Sequence, residues 1–251
     1  MPRMCGPVLG LLILSLLGCQ AKEQGHIFPG EPTYDVIPKD LPLSDLFKEA
    51  PKPTFSTLKF VKVFHEKSRP AERLQFERVT SLTDTQRVFS RIKSISEVPR
   101  DPGQYIDYEI NAGGLLNAAF LSIKRYKTRE IHFKSYIKEV VSSDGRLFPL
   151  RVGNRMTVKA KRLYQAPVGA PSSTPAVLNY SYSYDVVEEL DGDRRFGAIV
   201  PGKVFVINFT ERHPEGVDNK QLYYSQQLGA VIVERSELDG VISELRVVSW
   251  E

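Results

Sequence analysis

The chain has 251 residues, of which 41% are hydrophobic and 25% are charged. These fractions are typical of a globular protein with a buried core, and they exclude general disorder and a multi-spanning membrane protein. The formal net charge is +4 and the charges are interspersed, so composition gives no reason to expect a nucleic-acid partner. Two cysteines are too few for a disulfide-rich scaffold.

The first twenty residues contain a short apolar segment that predicts export. Arg3 precedes a run from Val8 to Leu17 that is aliphatic apart from Gly10 and Ser15. A run of about ten residues is shorter than the roughly 20 needed to cross a bilayer, and it suits the core of a secretory signal peptide.

The end of this run resembles the lipobox of bacterial lipoproteins. Leu16-Leu17-Gly18-Cys19 places a small residue directly before a cysteine and after aliphatic residues. In that family the cysteine is acylated and becomes the first residue of the mature chain, so the resemblance implies removal of residues 1–18 and lipidation of Cys19. The alternative is an ordinary secretory signal in which Cys19 has no role.

Lipidation would determine both the location and the thiol content of the protein. Diacyl or triacyl attachment gives stable membrane anchoring, whereas a single chain holds only marginally. Cys5 lies in the removed segment, so the mature domain would contain no disulfide, thiolate nucleophile or cysteine metal site. Gln20, where some lipoproteins have Asp, implies an outer-membrane lipoprotein facing the periplasm if the host is Gram-negative.

Residues 19–53 predict a lipidated cysteine followed by a proline-rich tether. Proline favours extended, solvated chain, and it recurs here at Pro29, Pro32, Pro38, Pro42, Pro51 and Pro53. The alternative is that part of this stretch packs along the domain as an irregular arm.

Residues 54–251 predict one β-rich extracytoplasmic domain. Period-two alternation in its first half predicts strands over Phe55–His65, Arg73–Thr80, Gln104–Ile110, Leu115–Tyr126 and Arg129–Val141. The stretch Thr83–Val98 is ambiguous, because Val88, Ile92 and Ile95 have helical spacing after a possible cap at Asp84. The next segment, Ser143-Asp144-Gly145, predicts a tight hairpin turn, since Asp-Gly accepts positive φ angles.

The second half is more regular. Strands are predicted over Arg155–Tyr164, Val177–Glu189, Val204–Thr210, Gln221–Ser225, Gly229–Arg235 and Val241–Trp250. Asp191-Gly192 and Asp239-Gly240 predict turns between them. Short strands separated by turns favour a mainly β fold, an antiparallel meander that forms a curved sheet, sandwich or partial barrel with one or two short helices.

The second half also carries a series of turn and core motifs. In chain order these are Leu147-Phe148-Pro149-Leu150 with Gly153, Val186-Val187-Glu188, Val200-Pro201-Gly202 and Tyr223-Tyr224-Ser225. Their order resembles the TapB-like group of β-rich periplasmic domains, over residues 147–251. The resemblance implies an envelope protein without known catalysis.

The sequence contains no recognisable catalytic or metal constellation. Its histidines, His26, His65, His132 and His213, are widely separated, and none has a second histidine or a cysteine at ligand spacing. A nucleophile-elbow motif and a phosphate-binding glycine loop are also missing. We therefore expect a non-enzymatic protein with no catalytic residues, metal or cofactor.

Basic and aromatic residues interleave in the middle of the chain. The basic residues are Lys124, Arg125, Lys127, Arg129, Lys134 and Lys138, with Arg155, Lys159, Lys161 and Arg162 nearby in sequence. If adjacent strands present them together, this basic face could contact anionic lipid or peptidoglycan. The alternative is an ordinary solvated sheet face whose lysines prevent edge pairing.

Tyr180, Tyr182 and Tyr184 alternate along one predicted strand and so share a face. Tyrosine combines an apolar body with a polar tip, so this stripe could line a site for an apolar or glycan ligand. The alternative is sheet-face packing.

Two functions from different classes follow from these features. The first is a lipid-anchored envelope lipoprotein that acts as a non-enzymatic scaffold or interaction module. The alternative is a periplasmic carrier or binder of an apolar ligand, such as a lipid, an acyl chain or a glycan, within the curved sheet. Finding a cavity of at least a few hundred Å3 is a requirement of the second.

The anchoring hypothesis is tested by substituting each cysteine in turn. Palmitate labelling of the expressed chain is expected to disappear in Cys19→Ser, because acylation needs that thiol. The matched control Cys5→Ser should keep full labelling, since Cys5 leaves with the signal. Labelling that survives Cys19→Ser contradicts the hypothesis.

Overall fold

Twelve antiparallel strands close into a barrel in the computed structural model, which describes residues 43–66, 76–86, 88–97, 104–125, 130–165, 175–238 and 240–251. Each strand pairs with its neighbours in sequence, and β1 pairs with β12. The strands are β1 (Thr57–Glu66), β2 (Phe76–Gln86), β3 (Phe89–Glu97), β4 (Gln104–Ala112), β5 (Leu116–Arg125), β6 (Glu130–Arg146), β7 (Arg155–Gln165), β8 (Ala176–Asp191), β9 (Lys203–His213), β10 (Gly216–Ser225), β11 (Ala230–Leu238) and β12 (Val241–Trp250). The mainly β, antiparallel meander is confirmed, and its sheet closes on itself.

Alternation along β8 shows how the sequence sets the inner and outer faces. Tyr182 and Tyr184 are buried inside the barrel, whereas the side chains between them are polar and face outward. Their partners on β7, Val158 opposite Tyr182 and Met156 opposite Tyr184, are also buried. Period-two alternation, interrupted where a strand bulges, therefore places one set of side chains of each strand in the interior.

Strand β3 resolves the ambiguous stretch in favour of a strand. Ile92 lies opposite Glu109 and Ser94 lies opposite Asp107, so the buried serine and isoleucine line the interior. The Ser94 hydroxyl is 2.9 Å from that of Thr80 on β2. Serine weakens the β pattern in sequence, but here its hydroxyl has a partner on the next strand.

The hairpin turn predicted at Ser143-Asp144-Gly145 is wrong. Strand β6 continues through these residues, with Asp144 paired to Thr157 and Gly145 to Met156. The chain reverses after Arg146 instead, around a cis peptide bond between Phe148 and Pro149. The Asn154 side-chain amide holds this loop by donating to the carbonyls of Leu147 (3.0 Å) and Pro149 (2.8 Å).

One end of the barrel is covered by residues 43–53, which we call the end segment. Leu43 and Phe47 are fully buried, and the Phe47 ring lies 6.1 Å from the Phe148 ring between centroids. Phe148 in turn contacts Tyr224, whose hydroxyl donates to the Gly113 carbonyl (3.0 Å). This part of the expected tether packs as an irregular arm, while residues 1–42, including Cys19, lie outside the described residues.

Two hairpin turns meet across the same end. Gly114, between β4 and β5, has a φ of +68°, and a Cβ built there would lie 2.2 Å from the Gly229 carbonyl oxygen between β10 and β11. Next to this contact, the Thr54 amide donates to the Leu228 carbonyl (3.2 Å). The end segment and the two turns therefore seal this end, which we call the closed end.

The connection between β8 and β9 contains a short helix, α1 (Gly192–Phe196), followed by a 3-10 turn (Gly197–Ile199). The Asp191 carboxylate caps α1 by accepting from the Arg194 amide (3.2 Å). Phe196 packs edge-on against Tyr223, with 5.9 Å between ring centroids, and the Trp250 indole donates to the Ile199 carbonyl. In the described part of the chain, no helix has the length and apolarity needed to cross a membrane.

The contact between the two turns predicts a steric requirement at Gly114. Gly114→Ala and Gly153→Ala both place a β-carbon at positive φ, but only the first meets a backbone atom, because nothing lies within 4 Å of the Gly153 position. We expect Gly114→Ala to lower the free energy of unfolding by about 2 kcal/mol more than Gly153→Ala, measured by urea denaturation. Equal losses of stability in the two variants would show that the close contact between the Gly114 and Gly229 turns is not required.

Candidate functional site

The barrel encloses a cavity of about 540 Å3. Side chains from all twelve strands line it, together with Pro53 and Phe55 from the N-terminal side of β1. Its volume falls within the range of about 300–1,000 Å3 that is usual for small-molecule sites. The cavity is the central feature of the molecule and our candidate functional site.

The cavity changes from apolar to charged along the barrel axis. Near the closed end it is lined by apolar side chains, among them Leu58, Phe60, Leu116, Leu222 and Ala230. Further along β10 the inward residue changes from Leu222 to Lys220, and along β9 it changes from Phe209 to Glu211. A ligand with one apolar and one polar part could contact apolar side chains at one end of the cavity and charged side chains at the other.

Two ion pairs occupy part of the charged region. Arg78 Nη2 is 2.6 Å from Glu109 Oε1, a pair that reaches from β2 to β4 across β3. Lys220 Nζ is 2.9 Å from Glu234 Oε1 on the neighbouring strand β11. Burial lowers the pKa of Lys220, but the carboxylates of Glu234, Glu211 and Asp218 together outweigh it and raise the pKa above the ordinary value. These four charges are therefore neutralised by one another.

Arg162 on β7 is only 5% exposed and lies inside the cavity. Its Nε donates to Ser135 Oγ (2.5 Å), Nη1 to the Asn117 carbonyl (2.9 Å) and to Tyr182 Oη (3.1 Å), and Nη2 to Asn117 Oδ1 (3.2 Å). The guanidinium carbon is 5.4 Å from the centroid of the Phe120 ring. Within the described residues, none of these contacts is to a carboxylate, so the guanidinium is held in place without an ion pair.

Glu211 is the second cavity charge without an ion-pair partner. It lies opposite Tyr182 in the β8–β9 pairing, and within the described residues its carboxylate makes no hydrogen bond or ion pair. Burial raises the pKa of Glu211, while the positive charges of Arg162 and Lys220 oppose that change. Arg162 and Glu211 thus remain as one cation and one anion whose charges are not neutralised by direct contact.

The three tyrosines share the inner face but do not have equal positions. Tyr180 and Tyr182 line the cavity and stack with 5.9 Å between ring centroids. Tyr184 is fully buried nearer the closed end, against Phe209 at 5.0 Å, and is not part of the cavity lining. Burial raises the pKa of Tyr182 to about 12, so its hydroxyl stays protonated at physiological pH. A role of these tyrosines in ligand binding stays a prediction.

The six basic residues grouped in the sequence do not form one described surface. Lys124 lies opposite Tyr105 on the inner register with its amine 4.6 Å from that ring, whereas the next residue, Arg125, points to the opposite face. Lys134 pairs with Leu121 on the outer register, and Lys138 is exposed beside a bulge in β6. Lys127 and Arg129 lie outside the described residues. Contact of the outer lysines with anionic envelope components stays a prediction.

The most informative cavity residues were not singled out from the sequence. Arg162 was grouped with the surface lysines, although it alternates with Val158 and Ala160, which are buried on the inner face. A charged residue in the apolar phase of a strand is the signal that could have identified it. Glu211 gave the same signal two residues after Phe209.

The part of the chain that the structure describes has no group of three or more histidine, cysteine, aspartate or glutamate side chains able to hold a metal ion. No family model, curated protein or solved structure matches the chain.

The unpaired burial of Glu211 predicts a pH-dependent cost to stability. A carboxyl group with a raised pKa in the folded state contributes fully to stability below its unfolded pKa and loses that contribution as pH rises through the folded value. The groups that act on it are Arg162, Lys220, Asp218 and His213. We therefore expect Glu211→Gln to raise the urea midpoint above that of the unsubstituted chain at pH 7 but not at pH 4.

The control for this measurement is Glu215→Gln, because Glu215 is exposed in the loop that follows β9. It should leave the midpoint unchanged at both pH values. If Glu211→Gln instead lowers stability at pH 7, the carboxylate makes a net favourable interaction and its burial carries no cost.

Proposed function

We propose that this protein is a lipid-anchored envelope lipoprotein whose barrel binds one small amphipathic molecule. The cavity of about 540 Å3 carries the proposal, because its lining changes from apolar at the closed end to charged further along the axis. The apolar part of the ligand would lie against Leu222 and Phe60, and its polar part near Arg162 and Glu211. The proposed lipid at Cys19 would keep the barrel at the membrane surface, where amphipathic molecules are concentrated.

Binding accounts for the lining better than catalysis does. The Ser135 hydroxyl, a candidate nucleophile by residue type, accepts a hydrogen bond from Arg162. None of the described lining residues is a histidine that could act as its base. Tyr182 stays protonated, which suits hydrogen bonding to a bound molecule.

A scaffold or interaction role is the second candidate, and exposed apolar residues favour it. Val177, Val217 and Leu238 are 48%, 46% and 74% exposed, and each lies at the end of its strand away from the closed end. A protein partner could cover these side chains. Recovery of one specific envelope protein with the acylated chain would support this role, and its loss in Leu238→Ser would connect the partner to this surface.

The binding proposal is tested with a fluorescent amphiphile, dansyl-undecanoate, and the Cys19→Ser chain, which carries no acyl group at that position. We expect saturable binding of one probe molecule with blue-shifted emission, because the dansyl-bearing chain leaves water. Leu222→Trp should weaken this binding at least about tenfold, since the larger ring fills the apolar end of the cavity.

The matched control is Val217→Trp on the same strand, because Val217 is exposed on the outside of the barrel. It should bind the probe as tightly as the parent chain. Equal binding by both tryptophan variants, or many probe molecules per chain, would show that the probe lies on the surface and not in the cavity.

A further inference from the structure

We infer that the charged end of the cavity is an anion site, in which Arg162 and the Tyr182 hydroxyl hold a carboxylate or phosphate head group of the bound amphiphile. The inference rests on the proposed function and specifies the chemical class of its ligand.

The guanidinium of Arg162 is positioned before any ligand arrives. Its four hydrogen bonds to Ser135, Asn117 and Tyr182 fix the side chain, which is 5% exposed. A guanidinium has five N–H donors, so at least one donor on Nη2 remains for a ligand. Because the side chain is already ordered, binding an anion here costs little conformational entropy.

The pairing of charges in the cavity points to the same site. Among the charged side chains that line the cavity, Arg78 is paired with Glu109 and Lys220 with Glu234. Arg162 is the lining cation that, within the described residues, contacts no carboxylate. A buried cation without an ion-pair partner is costly, and an anionic head group would supply a carboxylate or phosphate oxygen in contact with it.

The Tyr182 hydroxyl provides a second donor beside the guanidinium. It accepts from Arg162 Nη1 at 3.1 Å, which leaves its own proton available for another acceptor. Within the described residues, that proton has no acceptor. Two available donors in one part of the cavity, one of them charged, suit the oxygens of a carboxylate or phosphate.

The charge of Glu211 provides a way to distinguish an anion site from a cation site or an apolar site. Its carboxylate lies in the same part of the cavity and interacts electrostatically with Arg162. It would repel an anionic head group but attract a cationic one. Substitution by glutamine should therefore strengthen the binding of anions and weaken the binding of cations, and an apolar contact site would show neither change.

The test compares four amphiphiles with the same ten-carbon chain on the Cys19→Ser chain by isothermal titration calorimetry. They are decanoate, decyl phosphate, 1-decanol and decyltrimethylammonium, each used below its micelle concentration. We expect at least one anion to bind about tenfold or more tightly than 1-decanol, as a charge-assisted hydrogen bond in a buried site implies. The order of decanoate and decyl phosphate shows whether the natural head group is a carboxylate or a phosphate.

Substitutions test whether the preference for anions over 1-decanol depends on Arg162 and Glu211. Arg162→Met should remove the preference, so that anions bind no more tightly than 1-decanol, while 1-decanol binds as before. Glu211→Gln should strengthen anion binding severalfold. The control Arg155→Met, on the same strand but 76% exposed, should change nothing.

The outcomes separate the inference from the proposed function. If 1-decanol binds as tightly as both anions, or decyltrimethylammonium binds most tightly, the anion site is refuted and the cavity-binding function stands. If none of the four ligands binds, the cavity-binding function itself is refuted. Should Arg162→Met fail to fold, the ranking of ligands on the parent chain and the response of Glu211→Gln still decide the question.

Discussion

Closure of the sheet by the pairing of β1 with β12 is the constraint on which the rest of the structure depends. A closed sheet has no free edge, and each strand must place one alternating set of side chains inside. Eight strands leave an interior that side chains just fill, but twelve leave more space. The cavity is therefore a direct consequence of strand number and not of an incidental packing defect.

The packing at the closed end explains why the cavity lining is apolar there and charged further along the barrel axis. Phe47, Phe148 and Tyr224 pack together over the closed end, and the turns at Gly114 and Gly229 meet across it. This packing covers the apolar side chains at that end of the cavity. Away from this seal the lining carries charges, most of which form ion pairs or hydrogen bonds, as buried polar groups require. The end segment that produces this asymmetry is also the part of the chain that leads back toward the proposed lipid.

The sequence predicts the direction of side chains along each strand, but it does not predict how distant strands pair. The alternation of Tyr180, Tyr182 and Tyr184 correctly placed them on one face, because side-chain direction depends only on period two. Alternation does not reveal whether a sheet closes, since pairing of β1 with β12 joins residues almost 200 positions apart. The convergence of Arg162 and Glu211 from β7 and β9 depends on the register of three strands, which no local pattern encodes.

Arg162 and Glu211 are better explained by binding than by stability. Other inward positions on the same strands hold apolar residues, Val158 on β7 and Phe209 on β9. Replacing a buried charge by an apolar group is often stabilising. Charges buried without ion-pair partners raise the free energy of the folded barrel, and a ligand that neutralises one of them would offset part of that cost. A barrel interior that was simply filled by side chains would not require the charges of Arg162 and Glu211. The same reasoning separates the two proposed roles, because a scaffold would use the outer face and leave the interior free to be apolar throughout.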